Sequence, residues 1–142
     1  MRLRGVFLAL LLPLVLVACG TPRVLELSQA PKADIVGTVQ IYVATTREAS
    51  AEPVYFSGER GPRLSFARLD ITVPRGHRPG ELELPDSGPG DPAKHFTATY
   101  IQKLDLAPAV SDVRKELMRR PASQRDVLVF VHGYNTNFAD AS

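Results

Sequence analysis

The chain has 142 residues, which is enough for one modest domain, and its 17 lysines and arginines nearly balance its 15 aspartates and glutamates. Residues 1–18 contain two of the basic residues, Arg2 and Arg4, and no acid, so the remainder carries 15 basic and 15 acidic residues. This formally neutral remainder, without any run of basic residues, argues against nucleic acid as a partner, because duplex binding depends on a basic surface.

The first 18 residues have the layout of a secretory signal peptide. Arg2 and Arg4 form a short basic start, and the stretch from Gly5 to Ala18 is uncharged and mostly apolar. This stretch is shorter than the roughly 20 apolar residues that a membrane-spanning helix needs, and Pro13 interrupts it. We therefore predict a cleaved signal peptide over residues 1–18, with a retained signal anchor as the alternative.

The end of this signal reads Leu16-Val17-Ala18-Cys19, which resembles the lipobox of bacterial lipoproteins. The resemblance implies that the thiol of Cys19 carries a diacylglyceryl group and that cleavage occurs directly before this residue. Cys19 is the only cysteine of the chain, and lipidation would account for a lone thiol in an oxidising compartment. A chance cysteine beside an ordinary signal is the alternative. The residue directly after Cys19 is Gly20 rather than aspartate, so the resemblance implies the cell envelope, at the periplasmic face of the outer membrane, with membrane lipid as the partner.

The part that follows the signal begins with a tether and continues with alternating strands. Residues 19–37 lack a clear period and predict a tether. Residues 38–46 alternate apolar and polar side chains and predict a strand, and two further strands are predicted at 64–73 and 96–104. We expect these strands to be antiparallel, the middle one with a core face at Ser65, Ala67, Leu69, Ile71 and Val73. Loops are predicted between them, at 48–62 and in the proline- and glycine-rich stretch 75–92.

The C-terminal third has a different pattern, typical of an α/β domain. Pro108–Arg120 predicts a helix, because Val110, Val113 and Leu117 recur at i, i+3 and i+7 and Pro108 suits a first turn. Val127–Val131 is a run of five apolar residues without alternation, which favours a central parallel strand buried on both faces. A helix followed by a buried strand and the start of another helix indicates α/β organisation.

The run VLVFVHGYNTNF, residues 127–138, resembles the strand and oxyanion loop of α/β-hydrolases. It resembles more closely a group of bacterial envelope α/β-hydrolase-fold proteins of unknown function, which carries segments similar to Val43–Arg47, Ser57–Gly61 and Gly76–Glu81. The resemblance covers about residues 38–142. It implies an incomplete α/β-hydrolase fold that contains the N-terminal strands, the first helix, the central parallel strand and the start of the next helix.

The same resemblance implies a site at the end of the central strand. Acyl transfer builds negative charge on a carbonyl oxygen, which two backbone N–H groups stabilise in this fold. The resemblance assigns this oxyanion loop to Gly133, Tyr134 and Asn135, with the N–H of Tyr134 as the first choice of donor, and gives His132 a loop-shaping part. Gly133 is expected to allow a sharp turn and a close approach. Asn135 or Thr136 is expected to cap the next helix. A tight strand exit in another α/β fold is the alternative.

The sequence contains no catalytic triad. None of its eight serines stands in the Gly-x-Ser-x-Gly pattern of a nucleophile elbow. We therefore expect residues 38–142 to be the truncated N-terminal part of a membrane-anchored, serine-hydrolase-like lipoprotein of the esterase or lipase type, inactive by itself. Its complete parent would act on a small ester or acyl substrate, and a non-catalytic envelope lipoprotein with a binding or structural role is the alternative. No cofactor or metal site is expected, and His77 and His95 are expected to be solvated.

Overall fold

A three-stranded antiparallel sheet forms the centre of the computed structural model, which describes residues 24–133 and 136–141. The strands lie in the order β1-β2-β3, where β1 is Ile35–Ala49, β2 is Phe56–Pro74 and β3 is Thr97–Leu104. The prediction of antiparallel strands in this half of the chain is therefore confirmed.

Three helical segments follow the sheet along the chain. Helix α1 comprises Leu106–Met118, a single 3₁₀ turn comprises Ala122–Gln124, and the short helix α2 comprises Phe138–Ala141. Helix α1 lies close to its predicted position, and Pro108 stands in its first turn as expected. None of the helices in the described ranges is long and apolar enough to cross a bilayer.

Strands β1 and β2 form a hairpin that is longer than the sequence pattern predicts. The polar stretch 48–62, predicted to be a loop, is largely strand, and the connection between the strands is only Ser50–Tyr55. The ladder continues past Thr45 through two register shifts, which admit the pairs Arg47–Arg60 and Ala49–Phe56. Polar residues are compatible with this extension because they lie mostly at the surface, where alternation in hydrophobicity is not required.

The core lies on one face of this sheet and is small. Ala67 and Leu69 are 1% and 0% exposed, which confirms the predicted core face of the middle strand at these two positions. Cross-strand pairing places Val43 beside Ala67, and Ile41 and Ile101 on either side of Leu69. These side chains pack against a cluster formed by Tyr55, Phe56 and Phe138.

The other face of the sheet lies beneath helix α1. Tyr42 pairs with Arg68, and Ala44 pairs with Phe66, one residue out of phase with the core positions. The helix turns its predicted apolar stripe, Val110, Val113 and Leu117, toward this face and buries Ala109. The packing is loose, since Val110 remains 50% exposed.

The expected α/β-hydrolase arrangement is wrong for the described residues. Val127–Val131, predicted to be a buried parallel strand, belongs to no strand, and its five side chains are between 60% and 95% exposed. The one parallel contact in the described part of the chain is an isolated bridge between Leu27 and Ala98. The prediction failed because an apolar run indicates only that burial of its side chains would be favourable. A strand forms only where a neighbouring strand pairs with its backbone N–H and C=O groups.

Candidate functional site

The residues that the sequence places in an oxyanion loop lie between the exposed run Val127–Val131 and helix α2. His132 and Gly133 are exposed, whereas Tyr134 and Asn135 lie outside the described residues, as does the lipidation candidate Cys19. The Nδ1 atom of His132 lies 2.9 Å from the carbonyl oxygen of Gly133, so the imidazole contacts its own loop.

The steric role expected of Gly133 is not found. A Cβ atom built on Gly133 would meet no atom within 4 Å, and its φ angle lies outside the left-handed region that favours glycine. An L-amino acid with a side chain would therefore fit this backbone. The close approach expected at Gly133 is therefore absent among the described residues.

The far end of the loop is held against the β1–β2 hairpin by Arg47. Its guanidinium donates hydrogen bonds to the carbonyl oxygens of Ser57, at 3.1 Å through Nη1, and of Thr136 through Nη2. The partners of this arginine are therefore backbone carbonyl oxygens on two different segments. A guanidinium presents several N–H donors in a fixed plane, which allows one side chain to bridge two chain segments.

Helix α2 begins with a side-chain cap and a buried aromatic anchor. The N–H of Asp140 donates to Oδ1 of Asn137 at 2.9 Å, so Asn137 is the capping residue rather than Asn135 or Thr136. The next residue, Phe138, is only 5% exposed. The segment that follows the predicted oxyanion loop is thus docked onto the sheet although the segment before it is not.

Phe138 completes an aromatic cluster with Tyr55, the last residue of the hairpin connection, and Phe56, the first residue of β2. Its ring lies 4.9 Å from that of Phe56 in an edge-to-face arrangement and 6.4 Å from that of Tyr55 at a tilt of 55°. Tyr55 has a left-handed φ of 55°, uncommon for a residue with a side chain, and the residue is only 4% exposed. Burial, with a smaller effect of Glu52, raises the pKa of the Tyr55 hydroxyl.

A second polar cluster lies in the proline- and glycine-rich loop. Nδ1 of His77 lies 2.9 Å from Oε2 of Glu83, and the N–H of Arg78 donates to Oε1 of the same carboxylate at 3.1 Å. The hydrogen bond with His77 is the largest cause that lowers the pKa of Glu83. The imidazole also lies edge-on to the ring of Phe96 at 5.0 Å. His77 is therefore a partly buried structural residue rather than a solvated one.

The described residues contain neither a nucleophile–base pair nor a metal centre. The third histidine, His95, accepts a hydrogen bond from the N–H of Asp91, so no histidine in residues 24–133 and 136–141 bonds to a serine. In the same ranges no group of three histidine, cysteine or acidic side chains is arranged to hold a metal ion.

A groove of about 480 Å³ lies between the sheet and helix α1. We call it the sheet–helix groove; it is lined by Tyr42, Val43, Ala44, Phe66, Ala67, Ala109, Val110, Val113, Arg114, Leu117 and Met118. Its side chains are apolar except for those of Tyr42 and Arg114. The apolar stripe of the helix predicts a packing face but no groove, because the distance between helix and sheet is set by the tertiary structure.

Comparisons with models of known protein families, with curated proteins and with solved structures found no match to this chain.

Proposed function

We propose that the protein is a lipid-anchored protein of the bacterial cell envelope, with a loop of the serine-hydrolase type at residues 132–135. The observation that carries the proposal is the sequence Leu16-Val17-Ala18-Cys19 at the end of a basic-led apolar leader. Acyl chains on Cys19 would hold the protein at the periplasmic face of the outer membrane, since each buried CH₂ contributes about 0.8 kcal/mol. Membrane lipid is then its first partner.

The loop is proposed to act through its backbone, as in esterases and lipases. Gly133, Tyr134 and Asn135 would present N–H groups to a developing oxyanion, and His132 would shape the loop. Such donors act only when the loop is held in advance of the reaction. The docking of Thr136 by Arg47 and the burial of Phe138 support this requirement at one end of the loop.

Hydrolysis by this chain alone is not part of the proposal. Acyl transfer to a serine needs a nucleophile and a base within hydrogen-bond reach of each other. The sequence contains no Gly-x-Ser-x-Gly elbow. A small ester or acyl substrate would therefore be processed only by a protein that joins this loop to a nucleophile elbow.

A non-catalytic envelope module is the second candidate. The observation that favours it is the three-stranded antiparallel sheet, in which the described histidines bond to a carboxylate, to a backbone N–H or to their own loop. In this alternative the anchor remains and the protein binds a ligand or another envelope component.

The anchor is tested by metabolic labelling of the full-length chain in bacteria with an alkyne analogue of palmitate. We expect label on the wild-type protein and its recovery in the membrane fraction. Cys19→Ser should abolish the label and retain the uncleaved leader, whereas the control Ser28→Ala should behave as the wild type. Absence of label on the wild-type protein would contradict the anchor.

The catalytic part is tested by sequencing the genomic locus past codon 142 and by treating membranes with a fluorophosphonate probe. The hydrolase would be supported by two results together. The reading frame would continue into a Gly-x-Ser-x-Gly elbow followed by an acid and a histidine, and the encoded protein would be labelled by the probe. A stop codon and no labelled product would support the non-catalytic module. Labelling of a serine within the 142 residues would refute the statement that this chain alone is inactive.

A further inference from the structure

The sheet–helix groove has the size and lining of a small-molecule site. Its volume of about 480 Å³ lies within the roughly 300–1,000 Å³ of known ligand pockets, which are mostly apolar with a few polar groups. The sheet contributes Phe66 and Ala44 to its floor, and helix α1 contributes Val113 and Leu117 to its wall.

Two of the apolar side chains that line the groove remain accessible to water. Val110 is 50% exposed and Met118 is 62% exposed, although both line the groove. Apolar side chains that remain this accessible beside a concave surface favour an additional apolar occupant, because each Å² removed from water contributes about 25 cal/mol.

The charges of helix α1 and of the two arginines that follow it indicate the head group of this occupant. Residues 106–120 contain four basic side chains, Arg114, Lys115, Arg119 and Arg120, and two acidic ones, Asp112 and Glu116, an excess of two positive charges. Asp112 pairs with Lys115 at 3.7 Å, and Glu116 pairs with Arg119 and Arg120 at 3.3 and 3.6 Å. No described residue forms an ion pair with Arg114. This arginine is also the one cation among the residues that line the groove.

We propose that the sheet–helix groove binds a long-chain fatty acid, with the alkyl chain between Phe66 and Val113 and the carboxylate on the guanidinium of Arg114. Arginine and a carboxylate form two parallel N–H···O hydrogen bonds, which makes this the favoured cation for such a head group. The apolar lining accounts for the chain and the unpaired guanidinium accounts for the acid. This site is separate from residues 132–135 and does not depend on the proposed loop or anchor.

The test uses the full-length protein in bacterial membranes and a fatty acid that carries a diazirine and an alkyne. After irradiation, we expect cross-links on residues 42–44, 66–67 and 109–118, displaced by unmodified fatty acid. Arg114→Glu should weaken the apparent affinity about tenfold, which corresponds to about 1.4 kcal/mol. Arg114→Lys should retain part of the binding. The matched control is Lys115→Glu, the same charge change one residue away, which should leave the affinity within twofold.

Other outcomes would overturn the proposal. Equal loss of cross-linking in Arg114→Glu and Lys115→Glu would mean that only the charge of the helix matters. Cross-links confined to Val127–Val131 would mean adsorption to that exposed run. Equal affinity for the fatty acid and its methyl ester would show that Arg114 does not bind the carboxylate. Tighter binding of a lysophospholipid than of the free fatty acid would show that the head group is not a carboxylate. Palmitate labelling of Cys19 is unaffected in all these cases, so failure here is distinct from failure of the anchor.

Discussion

Replacement of Phe138 with alanine tests whether the segment after the predicted oxyanion loop is docked by its aromatic anchor. Phe138 is 5% exposed and contacts Phe56 edge-to-face at 4.9 Å. Truncation of a buried phenylalanine costs about 3–5 kcal/mol, of which the aromatic pair accounts for about 0.5–1.5 kcal/mol. Because helix α2 has only four residues, we expect this loss to appear first as local undocking.

Hydrogen exchange measures this undocking at individual amides. The N–H of Asp140 bonds to Asn137, and the N–H of Tyr55 bonds to the carbonyl of Ala51 on the other side of the cluster. A docking loss of about 3 kcal/mol lowers protection by about a hundredfold where exchange proceeds through undocking. Phe138→Ala should therefore accelerate exchange at Asp140 strongly, and at Tyr55 to a smaller extent because its hairpin remains paired.

Phe130→Ala is the matched control, since it removes the same side chain at a position that is 78% exposed. Exposed substitutions of this kind usually change stability by no more than about 0.5 kcal/mol. Equal effects of the two substitutions on exchange and on urea denaturation would refute the docking of residues 136–141. A larger effect of Phe130→Ala would additionally mean that Val127–Val131 is buried in solution.

Three further predictions concern the core, the helix cap and the loop carboxylate. Leu69→Ala should lower the free energy of unfolding by about 2–5 kcal/mol in urea denaturation because Leu69 is 0% exposed, whereas Leu82→Ala, at a 71% exposed position, should change it little. Asn137→Ala should cost helix α2 about 1 kcal/mol and be visible as faster exchange in its first turn, and unchanged exchange would show that Asn137 is not the cap. The lowered pKa of Glu83 means that its contribution to stability is complete above its unfolded pKa and is lost as the pH falls through the lower folded value. The amide shift of Arg78 should report this titration with a midpoint below 4.5, and a midpoint at or above 4.5 would contradict the hydrogen bonds to Glu83.

The described fold follows from local sequence patterns over part of its length. Alternation of apolar and polar residues predicted the strands around Val43 and Leu69, because a sheet with one buried face imposes a period of two. The period of Val110, Val113 and Leu117 predicted helix α1 in the same way. Patterns failed at 48–62, because a strand whose two faces are largely solvated has no hydrophobic period to detect.

The candidate site was less accessible to sequence reasoning. Arg47 could be recognised as a charged residue at the end of a strand, but its backbone partners, Ser57 and Thr136, come together only through the hairpin and the docking of helix α2. Arg114 could be assigned to the helix surface, but its place at a groove depends on how closely the helix approaches the sheet. Neither the distance from Arg47 to its carbonyl partners nor the distance from helix α1 to the sheet can be inferred from a local sequence period.

The sequence by itself determined the antiparallel strands, the helix stripe and the absence of a Gly-x-Ser-x-Gly pattern, because each is a property of neighbouring residues. Only the tertiary structure decided the exposure of Val127–Val131, the burial of Phe138 and the groove beneath helix α1. Burial depends on which surfaces meet, and a strand depends on a partner for its backbone groups. An apolar run therefore indicates that burial of its side chains would be favourable. The tertiary structure determines whether a neighbouring element is present to bury them.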